Sequence, residues 1–280
     1  MKFEVSAQLT YNVLSPSTLI LNIQPFKTYG QFVLEENFQC NSHVKTYEWI
    51  SPVGEKRFKV IEILKEEKLT FTYNSRIETQ IKTINAAQLD DVPISLMPVA
   101  VLPYLNPSRY CQSDQLYKFA ADKFGHIENT YDKVIAVRDW IYEHVEYNGA
   151  HTTPQTSAFD TVTELIGVCR DFAHLGVAIC RALTIPARYF TCYAYQLHPQ
   201  DFHACFEVYL GGHWVVMDAT KLVPINGLVK IATGFDAADT AVASSFGNLS
   251  FQSMDVKVKT LDGNFEAVDA DSLTQGYSYH

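Results

Sequence analysis

The chain has 280 residues, of which 47% are hydrophobic and 19% are charged. This composition excludes an intrinsically disordered chain, and the 13 Gly and 11 Pro exclude a collagen-like or low-complexity architecture. The formal net charge of −9 argues against nucleic acid or an anionic membrane as the partner.

The chain begins Met1-Lys2-Phe3-Glu4-Val5, with an early acidic residue and no continuous apolar run, so we expect no signal peptide. No stretch reaches the roughly 18 apolar residues that a membrane-spanning helix needs. The six cysteines are widely spread and include no Cys-x-x-Cys pair. Because a chain of this length can build a core without disulfides, reduced thiols and a cytoplasmic location are expected.

Residues 1–90 are predicted to form an N-terminal antiparallel β-sandwich. The segments 13–23, 58–64 and 68–77 are rich in strand-forming residues, and the last one alternates, with apolar Leu69, Phe71 and Tyr73. The turn sequence Ser51-Pro52-Val53-Gly54 separates two of them, and short strands at this spacing are typical of a sandwich. Since no cluster of reactive residues stands out here, we expect a structural role or the binding of a protein partner.

The charge and the hydrophobic period change along the chain. Residues 1–85 carry ten basic and nine acidic residues, whereas residues 86–280 carry twelve basic and twenty-two acidic ones. Four prolines from Pro93 to Pro107 predict a linker over residues 91–107, because proline removes backbone donors and discourages helix. We therefore predict a second, catalytic domain over residues 108–270 and a loose tail over residues 271–280.

The second domain opens with two predicted helices. Ser113-Asp114-Gln115 precedes a short helix that ends at about Phe124. Thr130 is predicted as the N-cap of the next helix, in which apolar residues at steps of three and four form one face. These residues are Val134, Val137, Ile141 and Val145.

A third helix is predicted to begin at Cys169 and to end at about Leu183, before Pro186. At a helix N-terminus, the dipole and the free N–H groups favour a thiolate over a thiol. The same N–H groups could hold an oxyanion on a substrate that the sulfur attacks. The position suits a nucleophilic cysteine, although a lone free cysteine is usually a small buried hydrophobe.

Residues 203–218 are predicted to form a β-hairpin around a Gly211-Gly212 turn. This turn pairs residues whose numbers sum to 423 and places His203 and Asp218 on one face as diagonal neighbours. Such neighbours lie about 7–8 Å apart at Cα, within reach of a carboxylate–imidazole hydrogen bond. A three-residue loop would turn one strand over and destroy this arrangement.

These predictions bring together a possible nucleophile, base and carboxylate. His203 could act as a general base towards Cys169 or form a thiolate–imidazolium pair with it, while Asp218 would fix the imidazole tautomer. Each residue alone is more often structural: a buried cysteine, a strand histidine, a strand-end aspartate. Their combination, with Cys at a helix start and His and Asp on paired strands, favours a catalytic triad.

The run from Gly167 to Thr220 resembles the catalytic core of the transglutaminase-like superfamily of cysteine enzymes. The resemblance is carried by residues 167–175, which begin Gly167-Val168-Cys169-Arg170-Asp171, and by residues 181–189, 201–204 and 214–220. The β-rich first third is similar to the N-terminal region of a bacterial subfamily, and residues 233–242 are similar to a segment after that subfamily's catalytic Asp. The family implies an α+β fold with a papain-like core and acyl transfer at amide carbonyls. It also implies Cys169 as nucleophile, His203 as base and Asp218 as the orienting residue.

Two positions depart from the family's pattern without deleting a member of the triad. The family often has Trp after His-Ala, and Cys205 takes that position here. The family also often has Asp-Pro-Thr, and Ala219 replaces the Pro here. Cys205 could reshape the site or offer a second thiol, but a packed strand cysteine is expected.

Other polar residues near the motif have open roles. Tyr147 and Gln155 are candidates for a second oxyanion donor. Arg170 and Asp171 could line the cleft, but a local pair is favoured, and Arg188 is expected in an internal ion pair. His174 should point away from the site into the core or the surface, since five residues turn a helix by roughly 500°. No metal or cofactor is predicted, because Cys169, His203 and Cys205 lack the spacing of zinc ligands.

The sequence therefore predicts a cysteine hydrolase, a peptidase or amidase, that acts on a peptide, protein or small amide through a thioester. Hydrolysis is favoured because the subfamily is usually described as proteases and no calcium loop is evident. One alternative is a protein-glutamine amine transferase that cross-links proteins. Another is a non-catalytic binding or scaffold protein with the same fold. Neither the identity of the substrate nor the oligomeric state is predicted.

Overall fold

The computed structural model describes residues 1–51, 55–268 and 272–279. The predicted turn at residues 51–54 lies largely outside the described residues. The strands are β1 (Lys2–Val13), β2 (Ser17–Leu21), β3 (Gln31–Cys40), β4 (Lys45–Ile50), β5 (Arg57–Ile63), β6 (Glu67–Thr79), β7 (Lys82–Asn85), β8 (Glu146–Tyr147), β9 (Ile166–Gly167), β10 (Ala187–Ala194), β11 (Phe202–Leu210), β12 (His213–Met217), β13 (Leu228–Gly234), β14 (Ala243–Phe246), β15 (Leu249–Thr260) and β16 (Gln275–Ser278). The helices are α1 (Ser113–Phe124), α2 (Thr130–His144), α3 (Ala158–Glu164), α4 (Cys169–Ala182) and α5 (Ala237–Thr240).

Two four-stranded antiparallel sheets form the first unit. One has the order β15-β1-β6-β3, and the other has the order β14-β2-β5-β4. Alternate side chains of β1, among them Phe3, Val5 and Leu9, enter a core that also contains Leu19 of β2 and Ile61 of β5. The two sheets thus bury their apolar faces against a common core, as the period of two in the sequence requires.

The sequence predicts that the first unit is confined to residues 1–90, but in the structure two later strands belong to it. β15 pairs with β1 along its length, from Phe3 opposite Thr260 to Val13 opposite Leu249, and β14 pairs with β2. Both strands come from the segment assigned to the catalytic domain. The physical reason is that β1 and β2 would otherwise present unpaired edges, which strands distant in sequence can cover as well as near ones.

The second unit combines a four-stranded antiparallel sheet, β12-β11-β10-β13, with helices. Helix α4 packs across this sheet, and its apolar side chains share a core with Phe206 and Val208 of β11. A Cβ at Gly176 would come within 2.5 Å of the Phe206 ring, so glycine allows the helix to approach the strand. This close contact fixes the N-terminus of α4 relative to the β11–β12 hairpin.

The three predicted helices, α1, α2 and α4, lie where the sequence places them, with one correction at a cap, whereas α3 and α5 are not among the predictions. α1 spans Ser113–Phe124 and α4 begins at Cys169, as expected. The N-cap of α2 is Asn129 rather than Thr130: the Asn129 Oδ1 accepts a hydrogen bond from the N–H of Asp132 at 3.0 Å. Thr130 is instead the first helical residue, because asparagine caps a helix at least as well as threonine does.

The end of the chain is not the loose tail that the sequence predicts. β16 pairs with β7, with Gly276 opposite Ile84 and Tyr277 opposite Thr83. The Tyr279 side chain is fully buried, and its hydroxyl donates to the carbonyls of Ile225 at 3.0 Å and Leu228 at 2.7 Å. Burial of two tyrosines offsets the entropy of ordering the terminus, an effect that terminal position alone does not reveal.

The segment predicted as a linker also packs onto the second unit. It contains short 3₁₀ turns at Ile94–Leu96 and Leu102–Leu105, and Met97 and Val101 form a small apolar cluster with Tyr209. Within the described part of the chain, none of the helices has the length and apolar character that crossing a bilayer requires.

Candidate active site

Cys169 is the first residue of α4, and the neighbouring sequence explains how it is presented. Val168 precedes the helix in an extended conformation, and its N–H donates to Oδ2 of Asp171 at 3.0 Å. A Cβ at Gly167 would lie 2.6 Å from the Cβ of Asp171, so glycine leaves room for this capping carboxylate. Arg170 donates to Oδ1 of Asp171 from Nε at 3.0 Å and Nη2 at 2.8 Å, which confirms the predicted local pair. The half-buried Cys169 therefore sits on a firmly held helix N-terminus.

The β11–β12 hairpin has the predicted register. Phe206 pairs with Met217 and Leu210 pairs with His213, so that the paired numbers sum to 423. Gly211 and Gly212 form the turn with φ values of 55° and 85°. Two successive positive φ values match the twist of the strands and are readily adopted by glycine.

His203 and Asp218 consequently meet on one side of this sheet. Nε2 of His203 lies 2.9 Å from Oδ2 of Asp218, and both side chains are fully buried. Thr220, which the sequence analysis did not single out, holds the other carboxylate oxygen: its N–H donates to Oδ1 at 2.9 Å and its hydroxyl at 2.7 Å. A threonine two residues after the aspartate is the only sequence signal of this contact, and it is a weak one.

The charges of this pair stabilise each other. Burial lowers the pKa of His203, but the charge of Asp218 and the hydrogen bond to it, followed by the contact with Cys169, raise the pKa well above its ordinary value. Burial raises the pKa of Asp218. The charge and hydrogen bond of His203 and the hydrogen bonds from Thr220 outweigh this effect, so that the pKa lies below its ordinary value. The pair therefore favours an imidazolium beside a carboxylate.

The second ring nitrogen of His203 is free for the thiol. Nδ1 is buried and has no hydrogen-bond partner among the described residues, while contacts with Cys169 contribute to the raised pKa of His203. Asp218 thus bonds His203, and Cys169 is close enough to contribute to the pKa of the same ring. An imidazole between a thiol and a carboxylate can hold a proton and pass it to a leaving group.

Of the two candidate oxyanion donors, the structure brings Tyr147 to Cys169. Tyr147 pairs with Gly167 through β8 and β9, and its ring lies 5.6 Å from that of Phe172. Burial, the charge of Cys169 and a hydrogen bond to its side chain raise the pKa of Tyr147, whereas a hydrogen bond to the Cys169 backbone lowers it. Gln155 is exposed, and its backbone N–H donates to Thr153.

Cys205 is a packed strand cysteine, as expected. It is buried in an apolar cluster on the same side of the sheet as Cys192, and burial, followed by a hydrogen bond with Cys192, raises its pKa well above the ordinary value. Ligand atoms of His203, Cys205 and Asp218 lie within 4.8 Å of one another. Nε2 of His203 and Oδ2 of Asp218 already bond each other at 2.9 Å.

His174 and Arg188 have structural partners. His174 is buried, accepts a hydrogen bond at Nε2 from the N–H of Ala237 at 3.0 Å, and is neutral because burial lowers its pKa to about 3. Arg188 donates to Glu207 at 2.6 Å, and Lys230 contacts the other oxygen of Glu207 at 2.9 Å. The predicted internal ion pair of Arg188 is thus confirmed, within a larger buried network.

Comparisons with known proteins find similar families, sequences and structures. A family model described as the transglutaminase-like superfamily matches residues 117–219, and a model of the bacterial transglutaminase N-terminal domain matches residues 1–100. A crystal structure named as a "Putative Cysteine Protease" from Cytophaga hutchinsonii is 50% identical, with a TM-score of 0.96, over 100% of this chain and 98% of that chain. An uncharacterized protein of Mycobacterium leprae is 22% identical over 243 residues, which are 81% of this chain and 86% of the relative.

Proposed function

Because this chain belongs to the transglutaminase-like superfamily, we propose that it is a cysteine hydrolase that cleaves amide bonds through a thioester on Cys169. The observation that carries the proposal is the position of the His203 ring. One nitrogen is bonded to a buried carboxylate, the other is buried and has no partner among the described residues, and Cys169 is close enough to help raise the pKa of the ring. The name of the Cytophaga hutchinsonii protein supports the same reaction class.

The first half-reaction forms the thioester. The Cys169 thiolate attacks the amide carbonyl carbon, the C–S bond forms, and the carbonyl oxygen becomes an oxyanion. The oxyanion collapses, the C–N bond breaks, and the amine leaves with the proton that His203 carried as imidazolium. Asp218 keeps the ring oriented and stabilises its charged form before the transfer.

The second half-reaction releases the acyl group. Water attacks the thioester carbon while His203, now neutral, accepts a proton from it. The second oxyanion collapses, the C–S bond breaks, and a carboxylic acid leaves with the Cys169 thiolate restored. The N–H of Cys169 and the hydroxyl of Tyr147, which contacts it, are suited to stabilise both oxyanions.

The proposal includes a compartment and leaves two alternatives for the acceptor. The mechanism needs Cys169 as a reduced thiol, which fits the cytoplasm, where thiols are kept reduced. If a primary amine rather than water resolves the thioester, the enzyme cross-links or modifies proteins instead. If neither acceptor is used, the chain is a binding protein with the same fold.

A library of peptides and small amides tests the proposal. We expect the native protein to hydrolyse a subset of them and Cys169→Ala to hydrolyse none. Cys40→Ala, which changes the other half-buried cysteine at a distant site, is the matched control and should keep the activity. Incorporation of a fluorescent primary amine into a glutamine-bearing protein would favour the transferase. Absence of both reactions, with a folded protein, would favour the scaffold.

A further inference from the structure

Asp218 lies one residue beyond the end of its strand. The pairing of β12 with β11 ends at Met217 opposite Phe206, so the backbone ladder of the sheet does not fix the residue that follows. Its carboxylate nevertheless has a defined orientation, because Oδ2 lies 2.9 Å from Nε2 of His203. A support for this orientation is therefore expected in the turn that follows.

Thr220 supplies the first part of this support. Its N–H donates to Oδ1 of Asp218 at 2.9 Å, and its hydroxyl donates to the same oxygen at 2.7 Å. The hydroxyl oxygen in turn accepts a hydrogen bond from the N–H of Leu222 at 3.3 Å. The backbone from Asp218 to Leu222 thus closes around one carboxylate oxygen, and a change of conformation within this turn would move that oxygen.

Lys221, inside this turn, has a backbone conformation that lysine rarely adopts. Its φ is 52°, in the left-handed region, where the Cβ of an L-residue crowds the backbone and which glycine occupies without this cost. Strained residues of this kind persist where the surrounding structure holds them, and they are concentrated at functional sites. We therefore looked at what holds the side chain of Lys221.

Two residues of α2 hold this side chain. Nζ of Lys221 lies 3.0 Å from Oδ1 of Asp139 and 4.8 Å from the centre of the Tyr142 ring. Asp139 and Tyr142 are three residues apart and are therefore neighbours on the helix surface. The Lys221 side chain is only 20% exposed, so water and salt screen its ion pair and its cation–π contact less than they would at an open surface.

Asp139 and α2 are themselves held in place. Nε and Nη2 of Arg138 lie 2.9 Å and 2.7 Å from Oδ1 of Asp139, and the Arg138 side chain is buried. The inner face of α2 shares one hydrophobic core with α4, and Cys169 packs against that core. Lys221 thus links the turn that holds Asp218 to the helical layer that carries Cys169.

We infer that Lys221 is a positioning residue for the proposed reaction: its side chain holds the left-handed turn and thereby keeps the carboxylate of Asp218 oriented towards His203. The inference deepens the proposed function and rests on it, because it concerns the same site. Lys221 acts through Thr220 and Asp218 and does not itself contact the reacting atoms.

Release of this turn should weaken the nucleophile. The charge of Asp218 and its hydrogen bond stabilise the imidazolium form of His203, and an imidazolium near a thiol favours the thiolate. A carboxylate that turns away stabilises the imidazolium less, so a smaller fraction of Cys169 is thiolate near neutral pH. The alkylation of Cys169 therefore reports on the orientation of Asp218, and it requires no natural substrate.

The test measures the rate at which iodoacetamide labels Cys169 at pH 6.5, relative to Cys40 in the same sample, by peptide mapping. Lys221→Met keeps an unbranched side chain and removes the charge. It should slow the labelling of Cys169 about tenfold, less than the roughly 100-fold cost of a 1 Å misplacement. Lys221→Arg, whose guanidinium can still pair with Asp139, should keep most of the rate.

Two further variants separate positioning from a general loss of stability. Lys221→Gly removes the tether and also the backbone strain. Its free energy of unfolding in urea should change little, because relief of strain offsets the larger entropy of the unfolded chain, yet the labelling of Cys169 should slow. In an Asp218→Asn background, Lys221→Met should have no further effect on the rate, since the two residues act in series.

Lys45→Met is the matched control. Nζ of Lys45 also lies near a carboxylate, that of Glu62 at 3.4 Å, and over a ring, that of Tyr47 at 4.8 Å, but in the first unit. This variant should keep the native labelling rate of Cys169.

The outcomes separate the inference from the proposed function. A native labelling rate of Cys169 in both Lys221→Met and Lys221→Gly would overturn the inference and leave the nucleophile intact. The same fold slowing by Lys221→Met with and without Asp218→Asn would also overturn it, because the lysine would then act independently of that carboxylate. If Cys169 of the native protein is labelled no faster than Cys40, the proposed function itself fails, and the inference fails with it.

Discussion

Nε2 of His203 lies 2.9 Å from Oδ2 of Asp218, across two strands whose register is fixed by a two-glycine turn. Neither side chain is exposed, so this hydrogen bond replaces bonds that both groups would otherwise make to water. Thr220 occupies the second carboxylate oxygen, and the second imidazole nitrogen is left for Cys169. The hairpin thus determines which nitrogen of the ring bonds the carboxylate and which one does not.

Replacing Asp218 with Asn should change the pH dependence of stability in a defined direction. Because the pKa of His203 is raised in the folded state, its contribution to the free energy of unfolding is complete below its unfolded pKa of about 6.5. This contribution is lost as pH rises through the folded pKa. Because the pKa of Asp218 is lowered in the folded state, its contribution to the free energy of unfolding is complete above its unfolded pKa of about 3.9. This contribution is lost as pH falls through the folded pKa. The loss of unfolding free energy in Asp218→Asn should therefore be largest between about pH 4 and pH 6.5.

Urea denaturation of both proteins at several pH values measures this difference. Asp255→Asn is the matched control, because Asp255 pairs with Lys257 on the surface, where more than half of each side chain is exposed. Its effect should be small at every pH. A difference between wild type and Asp218→Asn that does not vary with pH would contradict the ion pair.

The register of the β11–β12 hairpin and the start of α4 at Cys169 are predicted correctly because both are local. Two adjacent glycines set the register of the hairpin, and helix periodicity places Cys169 at an N-terminus; both features involve residues close in the chain. The pairing of β15 with β1 and of β16 with β7 joins segments that are far apart in sequence, where no turn fixes the register. The contact of Tyr147 with Cys169 depends on the parallel pairing of β8 and β9, two strands of two residues each that periodicity cannot detect.

Tyr147→Phe should lower hydrolysis without slowing alkylation of Cys169 to the same extent. The hydroxyl contacts the thiol and the backbone of Cys169, where an oxyanion would form during attack on a carbonyl. Loss of one oxyanion donor costs about 10²–10³ in kcat, whereas displacement of iodide from iodoacetamide forms no oxyanion. Parallel measurement of kcat and of the alkylation rate checks this. Equal losses in both would mean that Tyr147 acts on the thiol rather than on the oxyanion.

Tyr279→Phe should destabilise the fold, because the C-terminal strand is part of the second unit. The hydroxyl donates to the carbonyls of Ile225 and Leu228, and its removal leaves both buried acceptors without this donor. We expect a loss of about 1–3 kcal/mol in the free energy of unfolding, measured by urea denaturation. Tyr117→Phe on the exposed face of α1 should change it by less than about 0.5 kcal/mol. Equal stabilities for the two variants would mean that the terminus contributes nothing.

Selective alkylation tests the central claim, that Cys169 is a nucleophile activated by His203. The protein is treated with iodoacetamide at pH 6.5, and the labelling rate of each cysteine is followed by peptide mapping. Cys40 is the internal reference, since it is also half-buried and burial raises its pKa. We predict that Cys169 reacts at least tenfold faster than Cys40 and that His203→Ala removes most of this advantage. Slow, equal labelling of all six cysteines, or an advantage of Cys169 that survives in His203→Ala, would contradict the account.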